Sequence, residues 1–180
     1  MIKTMLTKAD LHYLLTQQEK LDKDIREKLN ISEKKWQNDM TPEHSLAIEV
    51  EVSEFINECH DLWKYWKLKP VSKARIIEEA IDVIHFLMLH YNKGSHGKFI
   101  SKREVAHNMH GYLNIFAKEM DDLPVDALAL EQLILKSEDI VFQLYVVLKV
   151  LDHYGFTSED IIAEYNAKNK ENFRRMASGY

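Results

Sequence analysis

The sequence predicts an all-α fold, and three observations carry that reading. Glycine and proline number only 5 and 3 in 180 residues, whereas turn-rich sandwiches and barrels spend both at nearly every reversal. Apolar residues recur three and four apart through most of the chain, and no segment shows the strict alternation of a half-buried strand. The length predicts one domain over residues 1–180, a helical bundle of about six helices, because domains run at ~100–200 residues.

The first helix is expected from about Lys8 to Leu29, where Leu11, Leu14, Leu15, Leu21 and Ile25 make one apolar face. The second opens at Thr41-Pro42-Glu43, a cap residue followed by proline in the first turn and an acid. It is read to about Trp66, with Pro70 closing it off. The third follows Ser72 and runs to about Tyr91 through Ile76, Ile77, Ala80, Ile81, Ile84, Leu87 and Met88. Asn92 to Lys98 holds two of the five glycines and is the best internal break. Ser101-Lys102-Arg103-Glu104 is a capping box that starts a fourth helix, to about Met120. A fifth is read from Pro124 to Tyr154, stopped by Gly155. Thr157-Ser158-Glu159-Asp160 caps a sixth, reaching about Arg175.

Composition narrows the class. There are 24 Lys+Arg against 29 Asp+Glu, a net charge of −5, which argues against a general nucleic-acid binder. A single Cys excludes a disulfide framework and a thiolate zinc site. No apolar run reaches the ~18–20 residues of a membrane span, and the first ten residues carry no signal-peptide core. A cytoplasmic protein without a membrane or nucleic-acid partner is therefore expected.

The chemistry lies in acids. Glu51, Glu54 and Glu58 are three and four apart on the second helix, among Val50, Val52, Phe55, Ile56, Cys59 and Leu62. Glu79 and Asp82 are three apart on the third, with Asp82 inside the apolar run from Ala80 to Leu89. Like charges at these spacings repel, and carboxylates near a core need cations or metal. Two such pairs on consecutive helices can converge on an all-oxygen site, which selects Mg²⁺ or Mn²⁺. On spacing alone, two solvated acidic stripes account for the pattern equally well.

Two further features stand out. Trp63-Lys64-Tyr65-Trp66-Lys67 combines rings that stack on bases with amines that meet phosphates, though a core-capping Trp pair with snorkelling Lys fits too. Tyr165, Lys168, Asn172 and Arg175 share one face of the last helix and offer donors and positive charge to phosphate oxygens. A solvated terminal helix would look the same. His85 sits one turn past Asp82, and Cys59 is read as buried and inert.

Together these residues resemble a known family. Glu51-Val52-Ser53-Glu54, the WKYWK element at 63–67, Glu79-Ala80-Ile81-Asp82 with His85-Phe86, and Tyr165-x-x-Lys168-Asn169-x-x-Asn172-x-x-Arg175 with Gly179-Tyr180 are similar to the dimeric all-α dUTPases. These belong with MazG-like enzymes among the all-α NTP pyrophosphatases. Gln18-x-x-Leu21-Asp22 is similar to the family's first helix, and the T-even phage dCTPase-dUTPase is similar across the WKxWK element and the last helix. The segment from about 92 to 155 carries none of the matches. Met176 stands where the motif usually has Gln.

The resemblance implies a homodimer that uses Mg²⁺, with Mn²⁺ as a substitute, to hydrolyse dUTP to dUMP and pyrophosphate and so sanitise the nucleotide pool. Turnover of dUDP stays open, as does a dCTP or dual dCTP/dUTP preference. By the resemblance, Glu51, Glu54, Glu79 and Asp82 would hold metal, with Glu51 or Glu54 activating water. Lys168, Asn172 and Arg175, and more weakly Tyr165 and Lys67, would hold phosphates. Gln18 and Trp66 would meet the base, Asn169 would assist, and His85 and Phe86 would line the sugar. The acids of helices two and three then require the basic stripe of helix six beside them. A rival of another class is a non-catalytic helical interaction module that keeps the fold. A di-iron bundle would need Glu-x-x-His pairs, which the acidic helices lack.

Overall fold

The computed structural model describes residues 2–93, 100–135 and 139–179. The helices are α1 (Lys8–Lys28), α2 (Thr41–Glu58), α3 (Lys73–Lys93), α4 (Lys102–Glu119), α5 (Ala127–Leu135), α6 (Ile140–His153) and α7 (Ser158–Ala177). A π-helical turn at Lys35–Asp39 precedes α2, and a 3₁₀ turn at His60–Leu62 follows it. No strand occurs among the described residues. The all-α bundle expected from sequence is the architecture observed.

The caps act as their chemistry predicts. Ser101 with Glu104 and Thr157 with Asp160 form reciprocal capping boxes, as does Thr7 with Asp10. Each cap is worth ~1 kcal/mol. The α6 C-terminus closes on Gly155 (φ 87°), whose N–H bonds Asp152 O while that of Phe156 bonds Leu151 O. That left-handed position favours glycine.

Three boundaries differ from expectation. Helix two ends at Glu58, not near Trp66. There the indole N–H of Trp63 folds back to Ile56 O (2.9 Å), and Tyr154 donates to Asp61 Oδ1 (2.6 Å). These tertiary bonds replace the helical ladder without any Gly or Pro signal. The run read as one helix from Pro124 to Tyr154 is divided, α5 being started by Asp126 and α6 by Asp139 as caps. Residues 136–138 of that run lie outside the described residues, as do 94–98 of the expected break and the terminal Tyr180. The π-helical turn was not anticipated.

Helix α3 lies at the centre, packing against α1, α2, α6 and α7. Helix α6 is buried on every side from Val141 to Leu151, as an all-round apolar helix should be. Its two polar residues, Gln143 and Lys149, donate to carbonyls near helix ends, while Gln143 Oε1 has no partner among the described residues. Gln143 donates to Leu133 O (2.8 Å), and Lys149 to Met120 O (2.6 Å) and Asp121 O (2.8 Å). Cys59 is fully buried at the end of α2, and burial pushes its thiol up to about 12.

Candidate active site

Helices α2 and α3 run antiparallel, which sets Glu51 beside Asp82 and Glu58 near Arg75. One carboxylate oxygen each from Glu51, Glu79 and Asp82 lies within 4.8 Å of the others. Glu79 is buried, and Glu51 and Asp82 are partly so. Burial first, then the charges of Asp82, Glu54 and Glu79, push Glu51 up to about 7. Glu79 and Asp82 are raised too, mainly by burial, with Arg75 and Lys168 respectively opposing the rise.

Two cations hold this charge. Arg75 pairs with Glu78 (2.6 Å) and with Glu79. Lys168 reaches from α7 to Asp82 (2.6 Å) and Glu78 (3.3 Å). Lys168 of the basic stripe thus meets the acids of α3 and shares a cavity with Glu51 of α2, a juxtaposition that the resemblance implied. Glu54 is exposed and sits in a groove of ≈680 Å³ with Glu79, Arg75 and Glu58.

A second cavity, ≈350 Å³, gathers Gln18, Glu51, Asp82, His85, Phe86, Lys168, Asn172 and Arg175. Arg175 also bonds Glu171 (3.1 Å). One wall is a buried polar network. Gln18 donates to Asp22 (2.7 Å), Tyr165 donates to Gln18 Oε1 (3.1 Å), and His85 Nδ1 lies 2.7 Å from the same oxygen. The His85 ring stacks on Tyr165 at 4.1 Å. Tyr165, expected beside phosphates, belongs to this network. Asn169 is buried, with Oδ1 unbonded among the described residues.

Trp66 and Lys67 are not among the residues of this cavity. Trp66 is 61% exposed and packs edge-on against Trp63 and Tyr65. Trp36, from the π-helical turn, supplies the cavity's indole, against the ring of His44 at 4.5 Å. Burial, aided by the charge of Lys93, pushes His44 down to about 4. Sequence reasoning gave no role to Asp22, Trp36, His44 or Arg75. Arg75 was findable, since it precedes Glu78 and Glu79 by three and four residues. Asp22 shares a face with Gln18 four residues earlier. Trp36 and His44 carry no local signal.

The fold and site define an all-helical protein with a carboxylate cluster between two antiparallel helices, answered by cations from α3 and α7. The family model described as dUTPase matches residues 10–180, and the chain belongs to that family. No curated protein and no solved structure matches it.

Proposed function

We propose that the protein hydrolyses dUTP to dUMP and pyrophosphate with a divalent metal, as a homodimer of one-domain chains in the cytoplasm. The observation that carries this reading is the Glu51–Glu79–Asp82 trio opposite Lys168, beside a cavity with a polar, partly aromatic wall. Among the described residues, no helix is long and apolar enough to cross a membrane.

The donor set fits the metal: three convergent carboxylate oxygens suit Mg²⁺ or Mn²⁺. Glu51, Glu79 and Asp82 would hold it, with Glu54 as a further ligand from the neighbouring groove. When bound, the metal supplies polarisation of phosphate oxygens and activation of water. Glu51 or Glu54 takes the proton of the attacking water. Lys168 releases Asp82 and, with Asn172 and Arg175, neutralises charge on the phosphates and leaving pyrophosphate. Phe86 packs on the deoxyribose, and the Gln18 end receives the base.

Parallel turnover assays of dUTP, dUDP, dCTP and dTTP with Mg²⁺ test the reading. Release of pyrophosphate from dUTP is expected. A clear preference for dCTP would shift the substrate within the class, and no turnover of any dNTP would sink the enzyme.

A further inference from the structure

Four side chains from three helices form a buried polar network at one wall of the smaller cavity, which Gln18, Asp22 and His85 line and Tyr165 backs. Asp22 and Gln18 come from α1, His85 from α3 and Tyr165 from α7, and all are at most 5% exposed. Ionised, the Asp22 carboxylate only accepts, so the glutamine turns its NH₂ to it, as observed at 2.7 Å. That turn commits Gln18 Oε1 to the opposite side, where it meets the Tyr165 hydroxyl at 3.1 Å and His85 Nδ1 at 2.7 Å. An amide oxygen only accepts. His85 Nδ1 must therefore carry the hydrogen. The ring stays neutral, because burial and the charge of Lys168 push it down to about 3.

A neutral ring protonated at Nδ1 has its lone pair at Nε2. That atom is buried and has no partner among the described residues, while its ring lines the cavity. An orphaned buried acceptor bears an uncompensated desolvation cost, which a ligand donor would recover. Phosphate oxygens are acceptors and cannot serve.

We propose that Asp22 is a positioning residue: through Gln18 it fixes His85 as the Nδ1–H tautomer, so that Nε2 meets the nucleoside as a bare acceptor. This rests on the nucleotide reading above. The donor it selects is an N–H or O–H of the nucleoside, either the imide N3–H of uracil or the 3′-hydroxyl. His85 is thereby excluded as a phosphate ligand.

Nitrogen-15 NMR of histidine-labelled full-length protein reads the tautomer directly, with His85 assigned by its loss in His85→Gln. The ligand-free protein should show Nδ1–H. Asp22→Asn keeps an acceptor and should preserve it. Asp22→Leu frees Gln18 to flip, and Gln18→Met removes the bridge without touching Asp22; both should give the Nε2–H form or a mixture. An Nε2–H or cationic ring in the wild type at pH ~9, where the Asp22 carboxyl is ionised, overturns the proposal, as does an unchanged tautomer in a folded Asp22→Leu or Gln18→Met. The non-hydrolysable α,β-imido-dUTP should shift the Nε2 resonance. Of its N3-methyl and 3′-deoxy derivatives, the one lacking the donor should lose that shift and bind at least ~10-fold more weakly. Retention of shift and affinity by both derivatives overturns the acceptor role. The ligand-free spectra need no turnover, so failure of the enzyme reading and failure of the tautomer relay are separable.

Discussion

On the α2–α3 side of the site, three carboxylates crowd within 4.8 Å, two of them partly exposed, and long cations answer them. On the α1–α7 side, an aspartate, a glutamine, a histidine and a tyrosine are sealed from water and held by hydrogen bonds. The first arrangement is built for exchange. Arg75 sits half-exposed on a flexible stem, where a pair contributes little and can be replaced, while Lys168 is a mostly covered amine that a ligand can draw off Asp82. The second is built for fixity, because an unmade bond there carries the full desolvation cost. On the function proposed above, chemistry that moves charge falls to the first side, and recognition of a neutral ring to the second.

Breaking the acidic side should have the largest effect. Glu51→Gln is expected to lower kcat/KM for dUTP by ~10³-fold or more and to weaken Mn²⁺ binding in titration calorimetry. Its metal-free melting temperature should hold or rise, since like-charge repulsion is relieved. The non-catalytic alternative predicts unchanged Mn²⁺ binding. Lys168→Met comes next, with a loss of ~10²–10³-fold in kcat/KM and a lower metal-free melting temperature, because Asp82 then lacks its partner.

The buried side answers through stability. Burial pushes the Asp22 carboxyl from its ordinary 3.8 up to about 7, so the fold binds that proton more tightly than the unfolded chain. The group's contribution is fully present below 3.8, is lost as pH rises to about 7, and is flat above. Asp22→Asn, neutral throughout, should exceed wild type by ~2–4 kcal/mol near pH 8, and thermal melts should show the gap closing toward pH 4. Smaller still, Arg75→Gln should raise Mn²⁺ affinity by ~2–5-fold, since Glu79 loses a competing cation. Trp66→Ala should be smallest, with KM within ~2-fold, as for other exposed positions.

The two sides also differed in how far the sequence disclosed them. Glu51, Glu54, Glu79 and Asp82 could be singled out because helical spacing is local, although spacing fitted solvated stripes equally well, and the caps at Ser101 and Thr157 were legible for the same reason. Their meeting with Lys168 followed only from the demand for counter-charge. The buried wall was less legible. Gln18 and His85 meet across 67 positions, and nothing near Asp22 announces that its carboxyl is buried. Trp66 drew attention as part of a dense aromatic motif, yet burial falls on Trp36, whose surroundings have no periodicity. The end of α2 was missed because Trp63 and Tyr154 stop it through distant bonds.

Cys59 turns the position of that stop into a clock. The lone thiol lies under the last turn of the acidic helix with no exposed surface, and a thiol held near 12 is almost entirely unreactive as it stands. A disulfide reagent can reach it only when the α2 terminus opens. The labelling rate therefore counts those openings, and its slowing by Mn²⁺ or nucleotide measures how firmly a ligand grips the helix that carries Glu51.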